Sequence, residues 1–147
     1  MATARELLQN KTKLPILSIA PDATAFEAMK MMAEYNVGAL LVFNPDGSVA
    51  GIVSERDFAR KLDVLGRGAQ DTPVRDIMTG KVLYVESNQS LEDCMALMSD
   101  KSVRHLPVFE DGKLLGLLSI RDVLRGIITE QKSMISHLEH YITGGKQ

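Results

Sequence analysis

The chain has 147 residues, 45% of them hydrophobic, and its 17 Lys and Arg against 19 Asp and Glu give a formal charge of −2. That suffices for one ordinary core or two small units sharing one, and with no cationic excess to neutralise phosphates it argues against a nucleic-acid partner. A single cysteine, Cys94, excludes an internal disulfide framework and a multi-cysteine metal site; no apolar run reaches the ~20 residues of a membrane span, Met1–Lys13 is too polar for a signal peptide, and the cytoplasm is the expected compartment.

In chain order, a short apolar strand is expected over Ile16–Ile19, followed by a Thr24-x-x-Glu27 capping box that opens a helix running to about Tyr35. Two β-type runs, Ala39–Phe43 and Val49–Val53, join across Asn44-Pro-Asp-Gly47 as a hairpin, and Ser54 leads straight into a second helix. After a turn-rich linker, Leu65 to Pro73, the same order returns: strand Val82–Val85, capping box Ser90-x-x-Asp93, helix to about Lys101, hairpin strands Leu106–Phe109 and Leu114–Leu118 across Asp111-Gly112, and a closing helix after Ser119.

The recurrence is residue by residue. Met29, Met32, Val37, Leu40, Val42 and Phe43 recur 66 positions later, and after a one-residue deletion in the turn Asp46, Gly47, Gly51, Ser54, Arg56, Asp57 and Arg60 recur 65 positions later. The expected architecture is α/β: two β-α-β-β-α repeats, residues 1–70 with the N-terminal segment and residues 71–147, packed as a pseudo-twofold module with a long C-terminal helix. Along that helix Leu124, Ile127 or Ile128, Gln131, Ile135, Leu138 and Ile142 form a stripe, read either as packing back on its own module or, preferred, as a homodimer contact. Gly144-Gly145 is expected to end it.

Each repeat carries the pattern Gly-h-h-Ser-x-Arg-Asp, with h apolar, at a strand-to-helix junction: Gly51 to Asp57 and Gly116 to Asp122. Ser54 with Asp57, and Ser119 with Asp122, satisfy a capping box and need no ligand for their explanation. The same junction suits a phosphorylated ligand, since a helix N-terminus favours anions, Arg56 or Arg121 adds a charge-assisted donor, and a carboxylate can accept both hydroxyls of a ribose. Capping does not call for the arginine, and the pattern occurs twice, so nucleotide binding is the preferred reading.

On these loops, on Leu106-Pro107-Val108 and on the lead-in Asp76-Ile-Met-Thr79, residues 14 to 142 resemble the tandem cystathionine-β-synthase (CBS) domain modules. The resemblance implies a sensor that binds AMP, ADP, ATP, NAD or S-adenosylmethionine in clefts between the repeats, often as a dimer. It implies ribose at Asp57 and Asp122, phosphate at Ser54, Arg56, Ser119 and Arg121, and adenine on backbone beside the hairpins, at Val37, Gly38, Ala39 and Leu40 and from Val103 through Arg104, His105 and Leu106 to Pro107. The repeats differ in ways that bear on this. Pro107 lacks an N–H and is expected to interrupt strand pairing, where its counterpart is Leu41; Arg104-His105 stand opposite Gly38-Ala39; Glu55 replaces Ile120. The site near Arg104, His105 and Arg121 is therefore expected to take the more phosphate-rich ligand.

Other chemically suggestive residues read as structural. Cys94 lies on an apolar helix face, and Met29, Met31, Met32, Met95 and Met98 read as core filler; His137, Glu139 and His140 read as a solvated face and not a metal site. Thr79, Lys81 and Tyr84 carry no firm assignment. No catalytic residue is expected. The functional reading is a non-catalytic regulatory module that passes its ligand state to an unidentified downstream protein. The alternatives are a ligand-free dimerisation adapter and, more remotely, a detached relative of inosine monophosphate dehydrogenase, for which no barrel length or catalytic cysteine loop is present.

Overall fold

The computed structural model describes residues 2–11 and 16–142, which fall into two compact units: Leu14–Val82, and Met1–Lys13 with Leu83–Gln147. In chain order the elements are α1 (Ala4–Gln9), β1 (Ser18–Ile19), α2 (Ala25–Tyr35), β2 (Ala39–Phe43) and β3 (Val49–Ser54). A helical run α3 follows, built of Glu55–Asp57, a π-helical turn Phe58–Leu62 and Asp63–Leu65; then come 3-10 turns at Ala69–Asp71 and Val74–Asp76. The second half holds β4 (Val85–Glu86), α4 (Leu91–Lys101), β5 (His105–Glu110), β6 (Lys113–Ser119) and α5 (Ile120–Ile142). The expected Gly144-Gly145 stop lies outside the described residues.

Both units have a three-stranded mixed sheet, β1-β2-β3 and β4-β5-β6, with a parallel first pair and an antiparallel hairpin. The expected capping residues start α2 and α4: Thr24 Oγ1 accepts from Glu27 N–H at 3.1 Å, and at Ser90 the box is complete, with Ser90 Oγ accepting from Asp93 N–H at 3.0 Å and Ser90 N–H donating to Asp93 Oδ2. Left-handed residues, Asn36 and Ser102, end them, with the next amide donating back to the last turn. Ala25, Ala28 and Met32 enter one core with Leu40, Val42 and Val53; Leu91, Cys94 and Met98 enter the other with Leu106, Val108 and Leu118. Of the methionines, Met32 and Met98 are buried and Met31 and Met95 pack at the core edge, but Met29 is 42% exposed and is not core filler.

Pro107 does not break its strand: β5 pairs with β6 through the Pro107–Leu117 register. What it removes is one donor to the parallel neighbour. In the first unit Leu41 N–H donates to Leu17 O at 3.4 Å and β1 begins at Ser18 opposite Leu41. Pro107 has no N–H to make the corresponding bond, and β4 begins one position later, at Val85 opposite Val108. The strand expected over Ile16–Ile19 is thus shortened to Ser18–Ile19, and the one expected over Val82–Val85 lies at Val85–Glu86, one position of its later start following from Pro107.

The main departure concerns the segments that precede the repeats. The N-terminal segment packs not with the first repeat but with the second, and residues 72–79 pack with the first. The bonds correspond one to one. Ala4 N–H donates to Gln89 O, Arg5 N–H to Ser87 O and Leu91 N–H to Ala2 O; in the other unit Val74 N–H donates to Ala23 O, Arg75 N–H to Pro21 O and Ala25 N–H to Thr72 O. Arg5 pairs with Glu110, and Arg75 with Asp22. Leu8 lies against Gly116 as Met78 lies against Gly51. Arg5-Glu6-Leu7-Leu8 and Arg75-Asp76-Ile77-Met78 are thus a further pair of repeated segments, 70 positions apart, that changed partners. The compact units therefore do not coincide with a division at residue 70.

Beyond the core contacts of Ile120, Val123 and Ile127, the α5 stripe residues Leu124, Ile128, Ile135, Leu138 and Ile142 are all exposed.

Candidate functional site

The hairpin register places the expected residues together inside each unit. Ala39 lies opposite Ser54, and His105 opposite Ser119. The first amide of each closing helix donates to the strand-start carbonyl: Glu55 N–H to Gly38 O at 3.1 Å, and Ile120 N–H to Arg104 O at 2.8 Å. Val37 and Val103, expected to face adenine, use their N–H groups to close the preceding helix, on Met32 O and Met98 O. The adenine-facing role expected of Val37 and Val103 therefore does not extend to their amides.

Capping is realised at both loops. Ser54 N–H and Oγ donate to Asp57 Oδ2 at 2.8 and 3.2 Å. Ser119 N–H donates to Asp122 Oδ2 at 2.7 Å, and Asp122 N–H to Ser119 Oγ at 3.2 Å. Both carboxylates are largely enclosed, with Asp57 13% and Asp122 7% exposed.

A lysine holds each carboxylate, and neither lysine was singled out from the sequence. Lys61 Nζ lies 3.2 Å from Asp57 Oδ1 and donates to Ile77 O at 2.8 Å. Lys11 Nζ donates to Asp122 Oδ2 and to Leu117 O, both at 2.9 Å. The Lys61 pair had a readable signal, since its spacing from Asp57 is one helical turn. The Lys11 pair spans 111 positions and follows only from the exchanged segment.

The second loop carries a titratable neighbour where the first has Ala39. Burial pushes the His105 imidazole down to about 4 from its ordinary 6.5; the Lys11 cation pushes the same way, Asp122 pulls it back up, and Arg104 lowers it. The folded form thus keeps His105 neutral while an unfolded chain protonates it near pH 6.5, so stability falls as pH drops from about 6.5 towards 4. Histidine proton shifts are expected to show the His105 imidazole titrating far below its ordinary 6.5, and His105→Asn is expected to flatten the loss of stability in that window. Cys94, fully buried in the second core, has its thiol raised to about 11 by burial and by Asp93, as fits a packing residue. Among the described residues no group of three or more His, Cys, Asp or Glu is arranged to hold a metal, and no helix is long and apolar enough to cross a membrane.

Paired β-α-β-β-α units, each with a Ser/Asp loop at the start of its closing helix, define a class of tandem-repeat proteins. The chain belongs to the CBS-domain family, whose model matches residues 4–64 and 74–129. It is similar to the mitochondrial CBS domain-containing protein CBSX3 of Arabidopsis thaliana, with 41% identity over 84% of this chain and 62% of that protein. Among solved structures it resembles a candidate signal-transduction protein with CBS domains from Burkholderia ambifaria, with 44% identity, a TM-score of 0.84 and coverage of 88% of this chain and 96% of that one. A hexameric CBS-CP12 protein from bloom-forming cyanobacteria is 26% identical with a TM-score of 0.73, over 84% of this chain and 70% of that one. The chain spans about six-tenths of the length of the first curated relatives it matches, 62% and 57%.

Proposed function

We propose that this chain is a non-catalytic sensor of adenine nucleotides, with AMP, ADP, ATP or NAD bound at the loops Ser54–Asp57 and Ser119–Asp122 and S-adenosylmethionine as a further candidate. One observation carries the reading: each loop presents an enclosed carboxylate with an ammonium beside it, at the start of a helix, in a fold whose relatives are regulatory modules. A ribose diol matches the carboxylate, and the adjoining cation and arginine, Arg56 or Arg121, match phosphate. Gly38, Ala39, Arg104 and His105 border the loops through the hairpin register and the helix-start bonds and, with Val37 and Pro107, are the base-facing candidates. Ligand binding would favour one arrangement of the chain, which a downstream protein reads by differential affinity.

A homodimer formed through the exposed stripe of α5 fits this scheme, and the hexameric relative supports self-association. The cytoplasm fits the lone buried cysteine, although one relative is named as mitochondrial. The completed capping boxes favour a second reading, a dimerisation adapter that needs no ligand. Native mass spectrometry and thermal unfolding with AMP, ADP, ATP and NAD separate the two. The sensor is expected to carry up to two nucleotides per chain and to gain about 2.7 kcal/mol at a hundredfold excess over Kd. No adduct and no thermal shift with any of the four would leave the adapter.

A further inference from the structure

The two loops obtain their cation from different places. At the first, Lys61 stands four residues beyond Asp57 on the same helical run. The residue four beyond Asp122 is Gly126, and a Cβ there would run into the buried side chains of Leu7 and Leu91. A lysine has no room at that position once α1 is docked. The same docking brings Lys11, two residues past the end of α1, to Asp122.

The lead-in segments diverge where this happens. After Met78 the chain turns extended, and Thr79 exchanges backbone hydrogen bonds with Ile52 in both directions, at 2.8 and 3.0 Å. After Leu8 it stays helical to Gln9, and Leu117 O, the counterpart of Ile52 O, accepts from the Lys11 ammonium instead. That ammonium has three N–H donors; its bonds to Leu117 O and Asp122 use two among the described residues, and its side chain is 33% exposed.

We propose that Lys11 is a ligand-selecting residue of the second loop, a cation delivered by the N-terminal segment that makes this site take a phosphorylated nucleoside in preference to the neutral nucleoside. The proposal rests on the reading of Asp122 as a ribose-binding carboxylate. A carboxylate enclosed to 7% exposure repels a phosphate placed on the same ligand, and because the pair is partly buried that repulsion is poorly screened by salt. Lys11 offsets it and offers its remaining donor to a phosphate oxygen. A neutral nucleoside has no such term, so the lysine separates the two ligands by charge.

The test uses the full chain with Asp57→Asn, which silences the first loop, and compares AMP with adenosine by equilibrium binding. Adding Lys11→Gln is expected to weaken AMP by about tenfold and to leave adenosine within about twofold, with Lys11→Met, which keeps the apolar stem, behaving alike and Lys11→Arg retaining most of the AMP affinity. An unchanged AMP-to-adenosine ratio in folded Lys11→Gln or Lys11→Met, whether both ligands weaken together or neither does, overturns the proposal alone: Lys11 is then only a clip for the N-terminal segment. Binding of neither ligand to the folded Asp57→Asn chain overturns the ribose reading of Asp122 and the proposal with it.

Discussion

Gly51→Ala is expected to destabilise the protein by about 2–4 kcal/mol, while Gly116→Ala at the same place in the second repeat costs about 1 kcal/mol or less. The two glycines open identical loop patterns, so the difference comes entirely from what each backbone meets. A Cβ at Gly51 would sit 2.5 Å from Thr79 O and 2.9 Å from Met78 Sδ. The carbonyl belongs to the reciprocal Ile52–Thr79 pair, so relieving the overlap breaks backbone hydrogen bonds as well as packing. At Gly116 the nearest atom is Leu8 Cδ2 at 3.2 Å, the far end of a side chain that can rotate. Gly→Ala also stabilises by restricting the unfolded chain, by about 0.4–1 kcal/mol, which offsets much of the smaller strain and little of the larger. Urea unfolding of the two single variants checks this; equal losses would show that both loops are crowded by the same kind of contact.

Leu7→Ala is expected to cost about 2–4 kcal/mol, a core-sized loss from a residue of the short helix α1. Leu7 is 5% exposed and belongs to the core of Val85, Leu91, Cys94, Leu106 and Val123. Its methyl groups fill the place left open at Gly126, so truncation leaves a cavity lined by residues fixed in α4 and α5. Under the division at residue 70, Leu7 would have belonged with the first repeat. Hydrogen exchange then localises the effect: the variant is expected to lose protection in β5, β6 and the first turns of α5, and to keep it in β2 and β3. Loss confined to β2 and β3 would contradict the exchange of lead-in segments.

What was legible in the sequence was local in origin. Helix starts at Thr24 and Ser90, the Asp111-Gly112 turn and both hairpins follow from residues within a few positions of one another, and the structure realises them. Family and fold were legible for the same reason, because a duplicated local pattern survives as a repeat. The parts that were not legible depend on distant partners. The shifted start of β4 needs Pro107 to be placed against the strand 22 residues before it. The lead-in exchange had a signal in Arg5-Glu6-Leu7-Leu8 beside Arg75-Asp76-Ile77-Met78, but its offset of 70 differs from the 66 and 65 of the rest, so a search at one period passes over it. Even with that match in hand, which body each segment joins is a matter of packing. Lys11 at Asp122 inherits the same difficulty, and Gly126 is its sequence trace: a glycine in the middle of a helix, where its entropy costs about 1 kcal/mol relative to Ala, calls for a close neighbour.

The two loops are thus alike in capping and unlike in surroundings. One has Ala39 and a lysine from its own helix; the other has His105, Arg104 and a lysine from the N-terminal segment. Calorimetric titration of AMP, ADP, ATP and NAD into the unaltered chain and its Asp57→Asn and Asp122→Asn variants tests the sensor reading most directly. Two unequal sites in the unaltered chain, one of them lost in each variant, is the predicted result. Full stoichiometry in both variants, or binding in none of the three proteins, would contradict it.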